Sequence, residues 1–135
     1  MGKTHASRIR AANLKLIVQY ELDSIGDFFS PDYVVHITDQ RIELGHDGVR
    51  EVLGLYQRAF PEISVEVEIL AEAKDRIAWQ RTLRGVQQGS YKGFPASGRQ
   101  IVWRDMITSR FRDGLIAEEW YITDLAERLL LARKK

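Results

Sequence analysis

The stretch "QIVWRDMITSRFRDGLIAEEWYIT", residues 100–123, decides the fold. Its first half alternates with the period of a β-strand. Ile101, Trp103, Asp105, Ile107, Ser109 and Phe111 take one side, while Val102, Arg104, Met106, Thr108 and Arg110 take the other. Asp113-Gly114 is a tight-turn pair, and Leu115–Thr123 returns as a second strand. The register of the return depends on the turn. A strict two-residue turn puts Trp120 and Ile122 on the Asp105 side. A bulge at Gly114 shifts the pairing by one residue and puts Tyr121 there instead.

Immediately upstream, "RIAWQRTLRG" places Ile77, Trp79, Arg81 and Leu83 on one side of another strand. A hairpin folded about Gly93 sets Arg81 opposite Asp105, Trp79 opposite Ile107 and Leu83 opposite Trp103. Each face is apolar but for one charge. Two readings follow: a structural ion pair within the sheet, or a polar anchor at the floor of an apolar pocket. Before this comes "ISVEVEIL", with Val65, Val67 and Ile69 on one face and Glu66 and Glu68 turned to water.

The N-terminal half carries helical spacing. Ile9, Ala12, Leu16 and Tyr20 predict a helix over about Ser7–Leu22, with Ser7 as cap. "DSIGDFFSPDYVVHITD" reads as a short helix, a turn at Ser30-Pro31 and a strand through Tyr33–Ile37. Val49, Val52, Leu53, Tyr56 and Phe60 form one stripe of a helix over about Gly48–Ala59, capped by Asp47 and ended by Pro61. A last helix runs from Leu125 to about Ala132. Helices first, then an antiparallel meander and a closing helix make an α+β fold rather than a doubly wound one.

The bulk numbers bound the function. A chain of 135 residues with 44% hydrophobic and 29% charged residues fits one soluble globular domain, residues 1–135. A net charge of +1 supplies no basic footprint for nucleic acid. The absence of cysteine removes disulfides and thiolate catalysis. No apolar run reaches membrane-spanning length, and "MGKTHASRIR" lacks the apolar segment of a secretory signal, so the expected location is cytoplasmic. His5, His36 and His46 are too scattered for a metal site. No metal and no cofactor are expected.

The segments "GHDGVREVLGLYQRAFPEISVEVE" and "GVQQGSYKGFPASGRQIVWRDMITSRFRDGLIAEEW" with the terminal "TDL" resemble the SnoaL-like polyketide cyclase family of the NTF2-like superfamily. The resemblance implies a cystatin-like cone: a curved, mostly antiparallel sheet wrapped around the N-terminal helices and enclosing a pocket. It also implies a homodimer through the outer sheet face, for which Val102, Met106 and Ile116 or Ala117 supply apolar surface. The family's cyclases close a polyketide ring by an intramolecular aldol reaction without cofactor, using an aspartate of the last strand and a histidine of the preceding one. Those positions correspond here to Tyr121 and Ile107.

The expected activity is cyclase-type or isomerase-type acid/base chemistry on a small apolar or aromatic carbonyl compound. Asp105 and His36 are the candidate base and its partner, since ketosteroid-isomerase relatives place a base near His36. Tyr121 is the oxyanion donor. Asp124 is the nearest acid to the missing aspartate, and with Glu127 three residues on it also fits a helix cap. Arg81, Trp79, Trp103, Trp120, Tyr56 and Tyr20 are the candidate substrate-binding residues. Two alternatives are a small-molecule-binding protein without turnover, and an epoxide hydrolase using Arg81, Asp105 and Asp124 as an Asp-Arg-Asp set.

Overall fold

A computed structural model describes residues 4–133. Four helices, α1 (His5–Ala12), α2 (Ile25–Phe28), α3 (Gly45–Ala59) and α4 (Leu125–Arg133), pack on one six-stranded sheet. Its strands are β1 (Phe29–Ile37), β2 (Gln40–Glu43), β3 (Ser64–Glu72), β4 (Arg76–Val86), β5 (Gln100–Arg112) and β6 (Leu115–Thr123). They lie in the order β2-β1-β6-β5-β4-β3. Every neighbouring pair is antiparallel except β1 and β6, which run parallel. The fold is thus α+β with a mostly antiparallel sheet, and the meander β3–β6 lies as the alternation predicts.

The β4–β5 register is also the predicted one: Arg81 pairs with Asp105, Trp79 with Ile107 and Leu83 with Trp103. In β5 every second residue from Ile101 to Phe111 is buried. The chain therefore supplies a continuous apolar wall interrupted only by Asp105 and Ser109, both fully enclosed.

Four local expectations change. Thr4, not Ser7, caps α1: its hydroxyl accepts from the Ser7 N–H at 3.0 Å, and Ser7 is already within the first turn. The helix then widens into a π-type segment, Asn13–Val18, and stops before Tyr20, whose φ of 55° breaks it short of Leu22. No turn forms at Ser30-Pro31. β1 runs through it, because Pro31 lies where the β1–β6 register shifts between Phe29 and Val34 and no ladder N–H is needed. Helix α3 begins at Gly45 after Leu44, so Asp47 sits in its first turn and is not the cap. Gly45 has a φ of 60°, the left-handed conformation that lets the chain leave β2 and enter the helix early.

The last hairpin resolves the register question in a way neither simple turn anticipates. Asp113 and Gly114 both have positive φ, 55° and 77°, and Arg112 pairs directly with Leu115, so the turn is a strict two-residue one. Phe111 pairs with Ile116, but Arg110 pairs with Glu118. Ala117 is therefore the extra residue, and the bulge lies one turn of pleat beyond Gly114. Ile116 and Ala117 are consequently both buried, and neither belongs to the outer apolar face where the sequence placed one of them. Beyond the bulge the parity flips. Glu119, Tyr121 and Thr123 are opposite Ser109, Ile107 and Asp105.

Candidate functional site

Between the inner sheet face and helices α1, α3 and α4 lies a cavity of about 440 Å³. Ile9, Leu16, Val49, Leu53, Ile116 and Leu129 are typical of its walls. Into this apolar lining the sheet brings Tyr33, Arg81, Asp105, Glu119 and Tyr121, and the helices bring Asn13 and Tyr56. An apolar cavity with a few converging polar groups is the usual make-up of a small-molecule site.

Arg81 is the hub. Its Nε donates to Asp105 Oδ2 at 2.9 Å, one terminal nitrogen to Asn13 Oδ1 at 2.7 Å, and the other to the Tyr121 hydroxyl at 3.2 Å. The guanidinium carbon lies 5.5 Å from the Trp79 ring and 5.6 Å from the Tyr121 ring. Burial works against its charge, but Tyr121, Asp105 and Tyr56 outweigh that and hold its pKa above the ordinary arginine value. Asn13 opens the π-type segment and is braced by donating to the Ile9 carbonyl, so the irregular helical turn is what presents its amide to Arg81.

Asp105 is used on one side only. Its Oδ1 is buried and has no hydrogen-bond partner among the described residues. The Tyr121 oxygen accepts from Arg81, which leaves its proton free to be donated elsewhere. Burial, ahead of Arg81, raises the Tyr121 pKa, so the phenol keeps that proton. Tyr56 is likewise raised well above its ordinary value by burial, with Asp105 adding to it. Tyr91, stacked on Tyr56 at 6.0 Å, is pushed up to about 12 by burial and by Asp105.

A second polar group was not singled out from the sequence. Glu119 is 2% exposed and lines the same cavity. One carboxyl oxygen takes the Tyr33 hydroxyl at 2.6 Å and the other the Ser109 hydroxyl, while Ser109 accepts from the Trp79 indole N–H at 2.9 Å. Burial raises the Glu119 pKa, with Ser109, Tyr33 and Arg81 acting in the opposite sense. The signal was present as the adjacent pair Glu118-Glu119. Which of the two turns inward depends on the Ala117 bulge.

The sequence-derived candidates divide accordingly. Asp105, Tyr121, Arg81, Trp79 and Tyr56 all border the cavity. Trp103 lies behind it, packed on Phe60 at 4.7 Å and on Tyr56 at 6.2 Å between ring centres. His36 and Trp120 are on the opposite sheet face, stacked on each other at 5.0 Å. His36 Nε2 is 2.6 Å from Glu118, which also accepts from Arg110. Burial works to raise Glu118, but these hydrogen bonds outweigh it and hold the carboxyl below its ordinary value. Tyr20 packs against Gly54 on α3 and does not line the cavity.

Asp124 follows the last inward residue of β6 and turns away from the cavity. Its carboxylate accepts from the Arg104 backbone N–H at 2.8 Å and from the Arg128 guanidinium at 3.1 Å. It ties the end of the sheet to α4 rather than forming a capping box with Glu127. Arg81, Asp105 and Asp124 are therefore not gathered around one space, and the Asp-Arg-Asp set is not assembled.

Among the described residues no group of three or more histidine, aspartate or glutamate side chains could hold a metal ion, and no helix is long and apolar enough to cross a membrane. The family profile described as SnoaL-like polyketide cyclase matches residues 8–130. No curated protein gives a significant match. Among solved structures, AclR from Streptomyces galilaeus, provisionally assigned as a hydroxylase, is 25% identical with a TM-score of 0.79, over 98% of this chain and 88% of that one. TsrD from Streptomyces laurentii is 21% identical with a TM-score of 0.81, over 96% and 97%. A SnoaL-like polyketide cyclase from Agrobacterium tumefaciens is 21% identical with a TM-score of 0.76, over 95% and 99%. These last two likenesses carry the fold alone.

Proposed function

Because the chain belongs to the SnoaL-like polyketide cyclase family, we propose that it performs cofactor-independent acid/base chemistry, of the cyclase or isomerase type, on an apolar carbonyl compound held in the interior cavity. One observation carries this reading: at the cavity wall, Arg81 holds a single oxygen of Asp105 and leaves Oδ1 unengaged. Oδ1 takes a proton from the carbon next to the substrate carbonyl. The Tyr121 hydroxyl, with Arg81 bonded to its oxygen, donates to the enolate oxygen as charge develops there. Asn13 and Asp105 brace the guanidinium so that none of these groups must reorganise.

The test uses 2-tetralone, a bicyclic ketone of suitable size and apolarity. Its α-protons exchange with deuterium in D₂O only through the enol or enolate, and NMR follows the loss. The protein accelerates this exchange, and Tyr121→Phe slows it by about 100-fold, the low end of what a positioned acid or oxyanion donor contributes. An unaccelerated exchange defeats the reading. A second reading, binding without turnover, is favoured by Tyr121 and Ile107 at the positions of the cyclases' aspartate and histidine. Saturable quenching of tryptophan fluorescence by 2-tetralone without exchange would select it.

We also propose a homodimer through the outer sheet face. Val102, Met106 and Ile122 are exposed there, Ile122 at 74%. Covering this face is favourable by roughly 25 cal/mol per Å² of apolar area before association costs. Light scattering at micromolar concentration gives twice the chain mass, and Ile122→Glu gives the single chain mass with an unchanged circular dichroism spectrum. A monomeric wild type rejects the dimer.

A further inference from the structure

Glu119 has no part in the chemistry above, yet it is enclosed, carries a charge-capable group and borders the same cavity. Its surroundings are directional. The Trp79 indole N–H can only donate, so it fixes Ser109 Oγ as its acceptor. The Ser109 hydroxyl proton then points to Glu119 and makes that carboxyl oxygen an acceptor. The other oxygen is left to share a proton with Tyr33, across 2.6 Å. With the carboxyl neutral, every bond runs one way: Trp79 to Ser109, Ser109 to Glu119, Glu119 to Tyr33. The Tyr33 proton is then turned to the cavity that Tyr33 itself lines.

We propose that Glu119 is the proton reservoir of this site and acts through the Tyr33 hydroxyl, which hands its proton to the same substrate oxygen that Tyr121 hydrogen-bonds. The proposal rests on the acid/base reading above and deepens it. Asp105 pairs with Thr123, and Ser109 pairs with Glu119. The backbone positions of the two acids are thus four residues apart in the β5–β6 register, on the order of 13 Å at the rise of a strand. Tyr121 lies between them.

The protons balance. The C–H bond next to the carbonyl breaks, its proton goes to Asp105, and the electron pair forms the enol double bond. The carbonyl oxygen takes the Tyr33 proton, and Tyr33 takes the proton of Glu119. Asp105 ends protonated and Glu119 ionised, and the reverse sequence rebuilds the ketone. Burial, which raises the Glu119 pKa, favours the protonated donor; Ser109, Tyr33 and the Arg81 charge act against it, and Tyr121 is the next titratable side chain on the same face of β6. Tyr33 is itself raised well above its ordinary value by burial and by Glu119, so it passes a proton on without resting as a phenolate.

Exchange of 2-tetralone is measured against pH for the wild type, Glu119→Gln, Tyr33→Phe and the double variant, with Asp105→Asn as reference. Each single variant is expected to slow exchange about 100-fold, and the double variant no further, because the two residues act as one acid. A donor must be protonated, so the wild-type rate falls as pH rises through a Glu119 pKa lying above the ordinary glutamate value. Glu119→Gln lacks that fall. Isotope-edited infrared spectra, which need no substrate, show a protonated-carboxyl band at neutral pH that Glu119→Gln removes. Either single variant exchanging at the wild-type rate with the wild-type pH profile, while Asp105→Asn does not, overturns the relay and leaves Asp105 as base. A wild type that exchanges nothing, or an Asp105→Asn variant that exchanges normally, overturns both.

Discussion

Arg81→Met costs about 3–5 kcal/mol of stability, the range found when one partner of a buried ion pair is removed. Arg81 is 4% exposed and touches three elements at once: Asp105 on β5, Asn13 at the end of α1 and Tyr121 on β6. Methionine fills much of the aliphatic stem, so the loss is electrostatic and hydrogen-bonding rather than a cavity. It leaves the Asp105 carboxylate enclosed without a donor and frees the Asn13 amide oxygen. For a chain of this length the cost corresponds to a fall in melting temperature of roughly 10–20 °C. Urea denaturation followed by circular dichroism measures it. The double variant Arg81→Met, Asp105→Leu should recover most of the loss, because no buried charge then remains unpaired. A cost under about 1 kcal/mol for Arg81→Met would mean that water reaches Asp105 freely.

Asp105→Asn has the opposite profile: a modest stability change and a large loss of turnover. The amide oxygen of asparagine can still accept from Arg81 Nε, and Asn13 and Tyr121 still hold the other two guanidinium nitrogens. The cost is then about 1–2 kcal/mol, that of weakening one charge-assisted hydrogen bond. The base is gone, however, and exchange of 2-tetralone falls by about 10²–10⁴-fold. Stability and exchange measured on the same samples separate the two uses of this residue. A melting temperature as low as that of Arg81→Met, with exchange per folded molecule unchanged, would assign Asp105 to the ion pair alone.

These two substitutions act so differently because a sheet register fixes partners while an enclosed space fixes chemistry. Arg81 and Asp105 face each other through backbone pairing, which any apolar hairpin of this spacing would produce. That only one carboxylate oxygen is engaged depends on the approach of Asn13 from a distorted helical turn and of Tyr121 from the neighbouring strand. The same distinction separates the two glutamates of β6. Glu118 serves a half-buried cluster with His36 and Arg110 on the outer face, and Glu119 a buried one with Tyr33 and Ser109.

What the chain itself determined was its strands and one of their registers. Alternation at period two within β3, β4 and β5 defines an inner face. A single charge on each of two adjacent strands then forces Arg81 against Asp105, because a one-residue slip would expose every tryptophan and isoleucine of that face. Local signals of this kind are strong because each repeats over many residues. The position of a bulge is not repeated. Whether the extra residue falls at Gly114 or at Ala117 costs little in the isolated hairpin, since both leave a tight turn intact. Tertiary packing chose Ala117: it buries Ile116 against the helices, aligns Val35 with Glu119 across the parallel β1–β6 pair, and turns Glu119 and Tyr121 inward. His36 and Trp120 went outward by the same parity. The cavity needed three helices from distant parts of the chain to close over that face, so only the assembled fold could say which carboxyls border it.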